Sequence, residues 1–363
     1  MSSDRCRFER CRRGAPMRYS GKGIDSGADV TKPATRIFEL EDNELEEFVE
    51  IYAERKSKDY VEVERVGAAN DKGRDVIGFL SRARHDGAWD LYQCKRKTRG
   101  SKLRIGEAMT ELGKVFHHHA AGAYATLPRR YIFVSPRGID GSLTTLLQNP
   151  SRIGKALLEA WDKHCRMRIT ARNPVELTSE IRASIERYDF TAVECLTAPK
   201  LVKDPAALPA LVQVLGLPPG EAPEGETPDE ISDIELTYLT QLQEVYAGSA
   251  GLDFATLEDV FTDPKFGEHL RIQRQRYYQA CAFRDFHRDN TAARSVDVFK
   301  NDIYHLLIEV YNEAHPSPLA RIDAVMKHTG AAPAGILGTL ARPPVKQGTC
   351  HHLVSDGRIR WSP

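Results

Sequence analysis

Asp75, Gln93 and Lys95 are the residues whose types and spacing point most directly to chemistry. Asp75 opens an apolar, β-branched run over 75–80. Gln93 and Lys95 close another run over 89–95, two positions apart and so on one face of a strand. An acid and a lysine converging at the end of a hairpin can hold a divalent metal and activate water beside a phosphate. In that chemistry Asp75 and a carboxylate from a neighbouring helix bind Mg²⁺, with the backbone carbonyl of Cys94 as a further ligand. Mn²⁺ can substitute. Lys95 orients the water or stabilises the developing charge. The bland alternative is a surface hairpin with a solvated Asp and Lys. Against it, Asp75 follows closely on Gly73 at a strand start, and Gln93 sits among Trp89, Leu91 and Cys94 in a mainly apolar strand.

The elements that must position these residues are readable from periodicity. Residues 61–66 alternate Val with Glu or Arg, a polar glycine-bounded loop covers 67–73, and His85-Asp86-Gly87 supplies a turn between the runs 75–80 and 89–94. This predicts three strands. Before them, residues 41–56 have helical spacing, with Leu45, Phe48, Val49 and Tyr52 on one apolar face. Glu46 borders that face, while Glu47 and Glu50 lie further round toward solvent. A solvated surface is the default for each, unless the helix places one beside Asp75. After the strands, residues 96–104 carry five Lys or Arg in nine positions. Arg96, Lys97, Arg99, Lys102 and Arg104 are therefore candidates for phosphate contact, against the default of a solvated loop.

Residues 105–121 read as a second helix, with Ile105, Met109, Leu112 and Phe116 at helical spacing. Its adjacent His117, His118 and His119 diverge around the helix and cannot jointly hold one metal. A short buried strand is predicted over 130–135, helices over 152–165 and 175–187, and a last or edge strand over 189–196. The order helix, three strands, helix, strand predicts one α/β domain over 36–198. Residues 1–35 read as a disordered basic arm. The stretch 199–231, with seven Pro and many acids, reads as a linker containing a short helix at 208–217. From 232 to 363 the pattern is mostly helical. Its arginine-rich helix over 264–289 offers either a surface for an anionic partner or an amphipathic core helix with ion-paired Arg. The tail 348–361 reads as two short strands around Asp356-Gly357. Its contiguous Cys350, His351 and His352 lack the spacing of a zinc site and read as structural.

Length and composition bound these readings. The 363 residues allow two cores, and Lys plus Arg balance Asp plus Glu at 51 each, so the chain as a whole lacks the basicity of many nucleic-acid binders. The seven scattered Cys without a CxxC fit a reducing cytoplasm better than a disulfide framework. No apolar run approaches a membrane span, and no membrane partner is expected.

Gly73-Arg74-Asp75-Val76, then Tyr92-Gln93-Cys94-Lys95, behind Leu45-Glu46-Glu47-Phe48-Val49, resembles the restriction-endonuclease-like PD-(D/E)xK superfamily. Within it the chain is most similar to the Mrr-like branch, where Q-x-K replaces E-x-K. The resemblance covers about 40–135. It implies an αβββαβ core and Mg²⁺-dependent hydrolysis of DNA phosphodiesters, with Asp75 as metal ligand, Gln93 at the second acidic position and Lys95 as the catalytic lysine. It also implies a helix Glu. Glu46 fits that branch's pattern, with Glu47 and Glu50 as alternatives. Segments 271–290, 299–311 and 348–361 resemble a C-terminal domain of ABC three-component bacterial defence systems, departing from it at Thr349 and His352. That resemblance implies an anti-phage effector coupled to an ABC-type ATPase and a small middle protein. Pairing into a homo-oligomer is plausible for such a nuclease. The rival expectation is a non-catalytic DNA-binding or adaptor subunit of an ATPase-containing complex.

Overall fold

The computed structural model describes residues 31–66, 72–170, 172–292 and 294–362. A short helix α1 (Thr31–Ile37) leads into α2 (Asp42–Lys56), whose first turn is closed by a capping box between Glu41 and Glu44. Strands β1 (Glu62–Arg65), β2 (Val76–Phe79) and β3 (Trp89–Cys94) form an antiparallel meander, followed by α3 (Ile105–Ala120) and β4 (Arg130–Val134). This is the order the periodicity predicts. After α4 (Gly141–Leu147), α5 (Ile153–Glu159) and α6 (Ser179–Arg187), strand β5 (Val193–Leu196) takes the edge. Strands β3, β4 and β5 run parallel, so the five strands make a mixed sheet in chain order.

The pleat sorts side chains onto two faces. Ile77, Phe79, Trp89, Leu91, Tyr131 and Phe133 pack with Met109, Leu112 and Phe116 of α3. Val76, Tyr92, Ile132 and Val134 pack instead with Phe48, Val49 and Tyr52 of α2. Helices cover both faces, which is why β2 to β4 read as almost continuous apolar runs.

Several boundaries differ from the sequence reading. The basic arm predicted through residue 35 falls mainly on 1–30, outside the described residues, but its last positions belong to α1, where Ala34 and Ile37 enter the α2 core. Two core positions in seven residues are too few for periodicity to register. The helix predicted over 152–165 stops at Glu159 and continues as a π-helical turn, Trp161–Cys165, which buries both end residues.

The predicted linker 199–231 is shared between two units. Helices α7 (Ala198–Lys203) and α8 (Leu208–Gln213), with the short 3-10 turn Pro205–Ala207 between them, bury Ala198, Leu201, Ala207 and Leu211 in the α2 core. Further on, Glu224 pairs with Arg342, and the Pro228 and Glu230 carbonyls accept from Arg274, so this part is fastened to the helical unit.

That unit comprises α9 (Leu236–Ala250), α10 (Leu257–Thr262), α11 (Gly267–Asn290), α12 (Ser295–Asn312), α13 (Pro318–Ala331), α14 (Gly335–Gly338) and α15 (Pro343–Ser355). The two strands predicted over 348–361 are absent; most of that stretch lies in α15. The residues 349–354 have strand-like composition, but packing overrides it. A Cβ on Gly348 would lie 1.9 Å from the Arg276 carbonyl oxygen, so α15 and α11 meet backbone to backbone. No described helix is long and apolar enough to cross a membrane.

Candidate active site at the end of the β2–β3 hairpin

Just before β2, Asp75 is 6% exposed and its Oδ2 accepts from Gln93 Nε2 at 2.5 Å and from the Cys94 backbone N–H at 2.7 Å. The alternation of β3 places Gln93 on the α3 face, and Lys95 follows two residues on. The predicted trio of Asp75, Gln93 and Lys95 is therefore brought together where β2 and β3 end.

Gln93 is 1% exposed, and its Oε1 is buried without a hydrogen-bond partner. A buried oxygen of that kind costs free energy unless something supplies a donor or a positive charge. Tyr131 on β4 has a hydroxyl in the same condition. Burial, then the Glu111 and Asp75 carboxylates, push that phenol well above its usual range.

Lys95 approaches a residue that the sequence reading did not single out. Its Nζ lies 3.3 Å from Glu111 Oε1, with the two side chains 23% and 12% exposed. Burial alone would lower the lysine's pKa, but the negative charges of Glu111 and Asp75 outweigh it and hold the ammonium above its ordinary value. Glu111 sits in α3 beside Leu112, a core position. Its sequence signal was a polar residue bordering an apolar helix face, the same faint signal that Glu46 carries.

Helix α2 lies on the opposite face, and its three candidate glutamates separate clearly. Glu47 and Glu50 turn to Arg65, at 3.9 and 3.5 Å. Glu46 is half-buried, and after burial itself and Asp75 it is the next group raising the pKa of the Cys94 thiol, so its charge is near enough to act on the Cys94 segment. Asn43, Glu46, Glu47, Arg65 and Val66 line a polar cleft of about 480 Å³ there.

The Cys94 N–H points at Asp75, and in a strand a residue's N–H and C=O face the same edge, so its carbonyl faces that side too. Asp75, Glu46 and this carbonyl would together offer an all-oxygen donor set with two carboxylates. Mg²⁺ suits such a set because it keeps several waters of its own, and the unpartnered Gln93 Oε1 adds a polar wall. No cluster of three or more His, Cys, Asp or Glu able to hold a metal occurs among the described residues. A site here therefore depends on backbone and amide oxygen.

The basic run divides. Arg96 bonds the Leu40 carbonyl and Glu41, at 2.9 and 2.7 Å, and Lys97 bonds Glu107 at 2.5 Å. These two fasten the loop to the elements around it. Arg99, Lys102 and Arg104 are exposed. In the helical unit the bland reading of the arginines prevails where partners are seen: Arg274 pairs with Glu235, and Arg284 and Arg288 pair with Asp285. His351 and His352 are buried in α15, bonded to Gln273 and Trp361 and to Cys281.

Searches of curated proteins and of solved structures found no match. Residues 235–361 match the family model of C-terminal domain 6 of the ABC-three component (ABC-3C) systems, so the helical unit is similar to that domain.

Proposed function

We propose that this chain is a Mg²⁺-dependent DNA endonuclease and the effector of an ABC-three component anti-phage defence system. The observation that carries the reading is the convergence of Asp75, Gln93 and Lys95 at one end of a hairpin, with the half-buried Glu46 of α2 near enough for its charge to act on Cys94. A Mg²⁺ bound by Asp75, Glu46 and the Cys94 carbonyl would supply Lewis acidity at the scissile phosphate. Gln93 fixes the Asp75 carboxylate by donating to it. The Lys95 ammonium, two residues along β3, orients the attacking water and offsets charge developing on the phosphate. Arg99, Lys102 and Arg104 extend a positive surface for the DNA backbone beside the site. Residues 235–361 couple the nuclease to the other components, an ABC-type ATPase and a small middle protein.

The neutral Gln93, and a donor set with only two carboxylates, favour a second reading in which the α/β unit grips DNA without cutting it. Plasmid cleavage by the full chain with Mg²⁺, alone and with the products of its neighbouring genes, separates the two. Asp75→Ala and Lys95→Ala should each lose at least about 100-fold in rate. Undiminished cleavage in both variants rules out the site. Binding that is indifferent to EDTA, with no cutting by the native chain, selects the second reading.

A further inference from the structure

Glu111 lies on α3, outside the hairpin and outside α2, yet it touches the proposed catalytic lysine. We propose that Glu111 is a positioning residue: it holds the Lys95 ammonium in place and supplies the anionic partner that the neutral Gln93 cannot. The inference rests on the nuclease reading and deepens it.

Three observations carry it. First, the Glu111 carboxylate is fixed from both sides. Lys114 Nζ donates to Oε1 and Oε2 at 3.0 and 3.1 Å, and Lys95 Nζ approaches Oε1 at 3.3 Å. Second, the backbone that carries it cannot shift easily. A Cβ on Gly113 would meet Cys165 Sγ at 2.8 Å, and one on Gly106 would meet the His164 ring at 2.6 Å, so α3 is seated directly on the π-helical turn. Third, Asp75 is the other carboxylate acting on Lys95, and its Oδ2 already accepts from Gln93 and Cys94. A cation bound at Asp75 would draw on that charge further. Glu111, itself held by Lys114, then remains as the carboxylate left to the lysine. An aliphatic chain as long as that of lysine has many rotamers, and a fixed partner removes most of them before substrate arrives.

The test uses the full chain under the cleavage conditions above. Glu111→Ala should lower kcat about 10–100-fold, the usual cost of removing an outer partner, with KM for plasmid DNA within about twofold. Mg²⁺ affinity by titration calorimetry should stay within about twofold of the native chain, whereas Asp75→Ala should abolish it. Glu111→Asp, which keeps the charge, should retain more rate than Glu111→Gln, which keeps only the shape. The positioning role is overturned if Glu111→Ala keeps the native kcat while Lys95→Ala does not. It is also overturned if Glu111→Ala weakens Mg²⁺ as Asp75→Ala does, which would make Glu111 a ligand, or if Glu111→Gln matches Glu111→Asp. Full activity in both Lys95→Ala and Asp75→Ala sinks the nuclease reading together with this one. The other outcomes sink this inference alone.

Discussion

In the helical unit, Glu235 and Arg274 are removed from water, at 0% and 7% side-chain exposure, and their groups are paired. Arg274 donates to both Glu235 oxygens at 2.9 Å and to the Pro228 and Glu230 carbonyls, and the Tyr238 and Tyr278 hydroxyls complete the carboxylate. Nearby, Trp361 donates to His351 Nδ1, so His351 must carry its proton on Nε2, where it donates to Gln273. At the end of the β2–β3 hairpin the same ingredients, carboxylate, amide and cation, are left incomplete. Gln93 Oε1 and Tyr131 Oη are buried without partners. A completed network fixes a structure, whereas an incomplete one persists where something outside the chain finishes it. The helical unit has unpartnered buried atoms elsewhere, both ring nitrogens of His287 among them, so it is the grouping of Gln93 Oε1 with a carboxylate and a lysine that fits the proposed site, while the Glu235 cluster is scaffold.

Mutation should separate the two clusters most sharply. Glu235→Ala strands the Arg274 charge in the interior and should cost about 3–5 kcal/mol, read from denaturant unfolding of the helical unit. Asp75→Asn retains an oxygen that can accept from Gln93 and Cys94, and should change stability by no more than about 1 kcal/mol while removing the proposed activity. A cost for Asp75→Asn as large as that for Glu235→Ala would collapse the distinction.

Acid should find the helical unit first. Burial pushes His352 down to about 3 and His287 to about 4, and holds His351 well below its usual range. Each stays neutral in the folded chain but takes up a proton when unfolded, below about pH 6.5. The unfolded state then binds more protons, so stability falls as pH drops from about 6.5 toward the folded values, by about 1.4 kcal/mol per pH unit for each histidine. Glu235, whose pKa is lowered because Arg274 and its other donors outweigh the effect of burial, adds a further loss below about pH 4. In the α/β unit His85 is pushed down to about 4 by burial and by Arg74, and burial also lowers His117 and His164. Hydrogen exchange on the full chain between pH 7 and pH 4.5 should show residues 235–361 losing protection before the sheet does. The reverse order would mean that the buried histidines are not what sets acid stability.

Most of the sheet was legible because β2 to β4 are buried on both faces and leave long apolar runs between glycine-rich turns. Asp75, Gln93 and Lys95 were legible because alternation along a strand fixes which side chains share a face. Glu111 was not. Its contact with Lys95 joins a helix and a strand with no periodicity in common, and only the packing of α3 decides it. Choosing Glu46 from its neighbours likewise needed Arg65, which draws Glu47 and Glu50 away. The tail misled because residues 349–354 have strand-like composition, while the fit of Gly348 against α11 is a tertiary fact.

The basic loop offers a smaller effect that sharpens the site. Replacing Arg99, Lys102 and Arg104 one at a time by Ala should each reduce the salt dependence of DNA binding by about one ion. Lys97→Ala should leave that slope unchanged and loosen the loop instead, because Lys97 is held by Glu107. Equal slopes for Lys97→Ala and Lys102→Ala would show that the intramolecular pair opens when DNA binds.

The smallest expected effect concerns the contact between the two units. Arg55 in α2 donates to the Asp289 carbonyl at 2.7 Å and lies 3.9 Å from its carboxylate, with both side chains more than two-fifths exposed. Solvent screens such a pair, and Arg55→Ala should cost between about 0 and 1 kcal/mol. This pair is one part of the contact, since α8 also meets α11. If Arg55→Ala instead moves the unfolding of the sheet and of the helical unit together, the two are one cooperative block. The stability of the Glu235 cluster would then be felt at Asp75, and the site could be controlled through the helical unit by way of α2, the helix that carries Glu46.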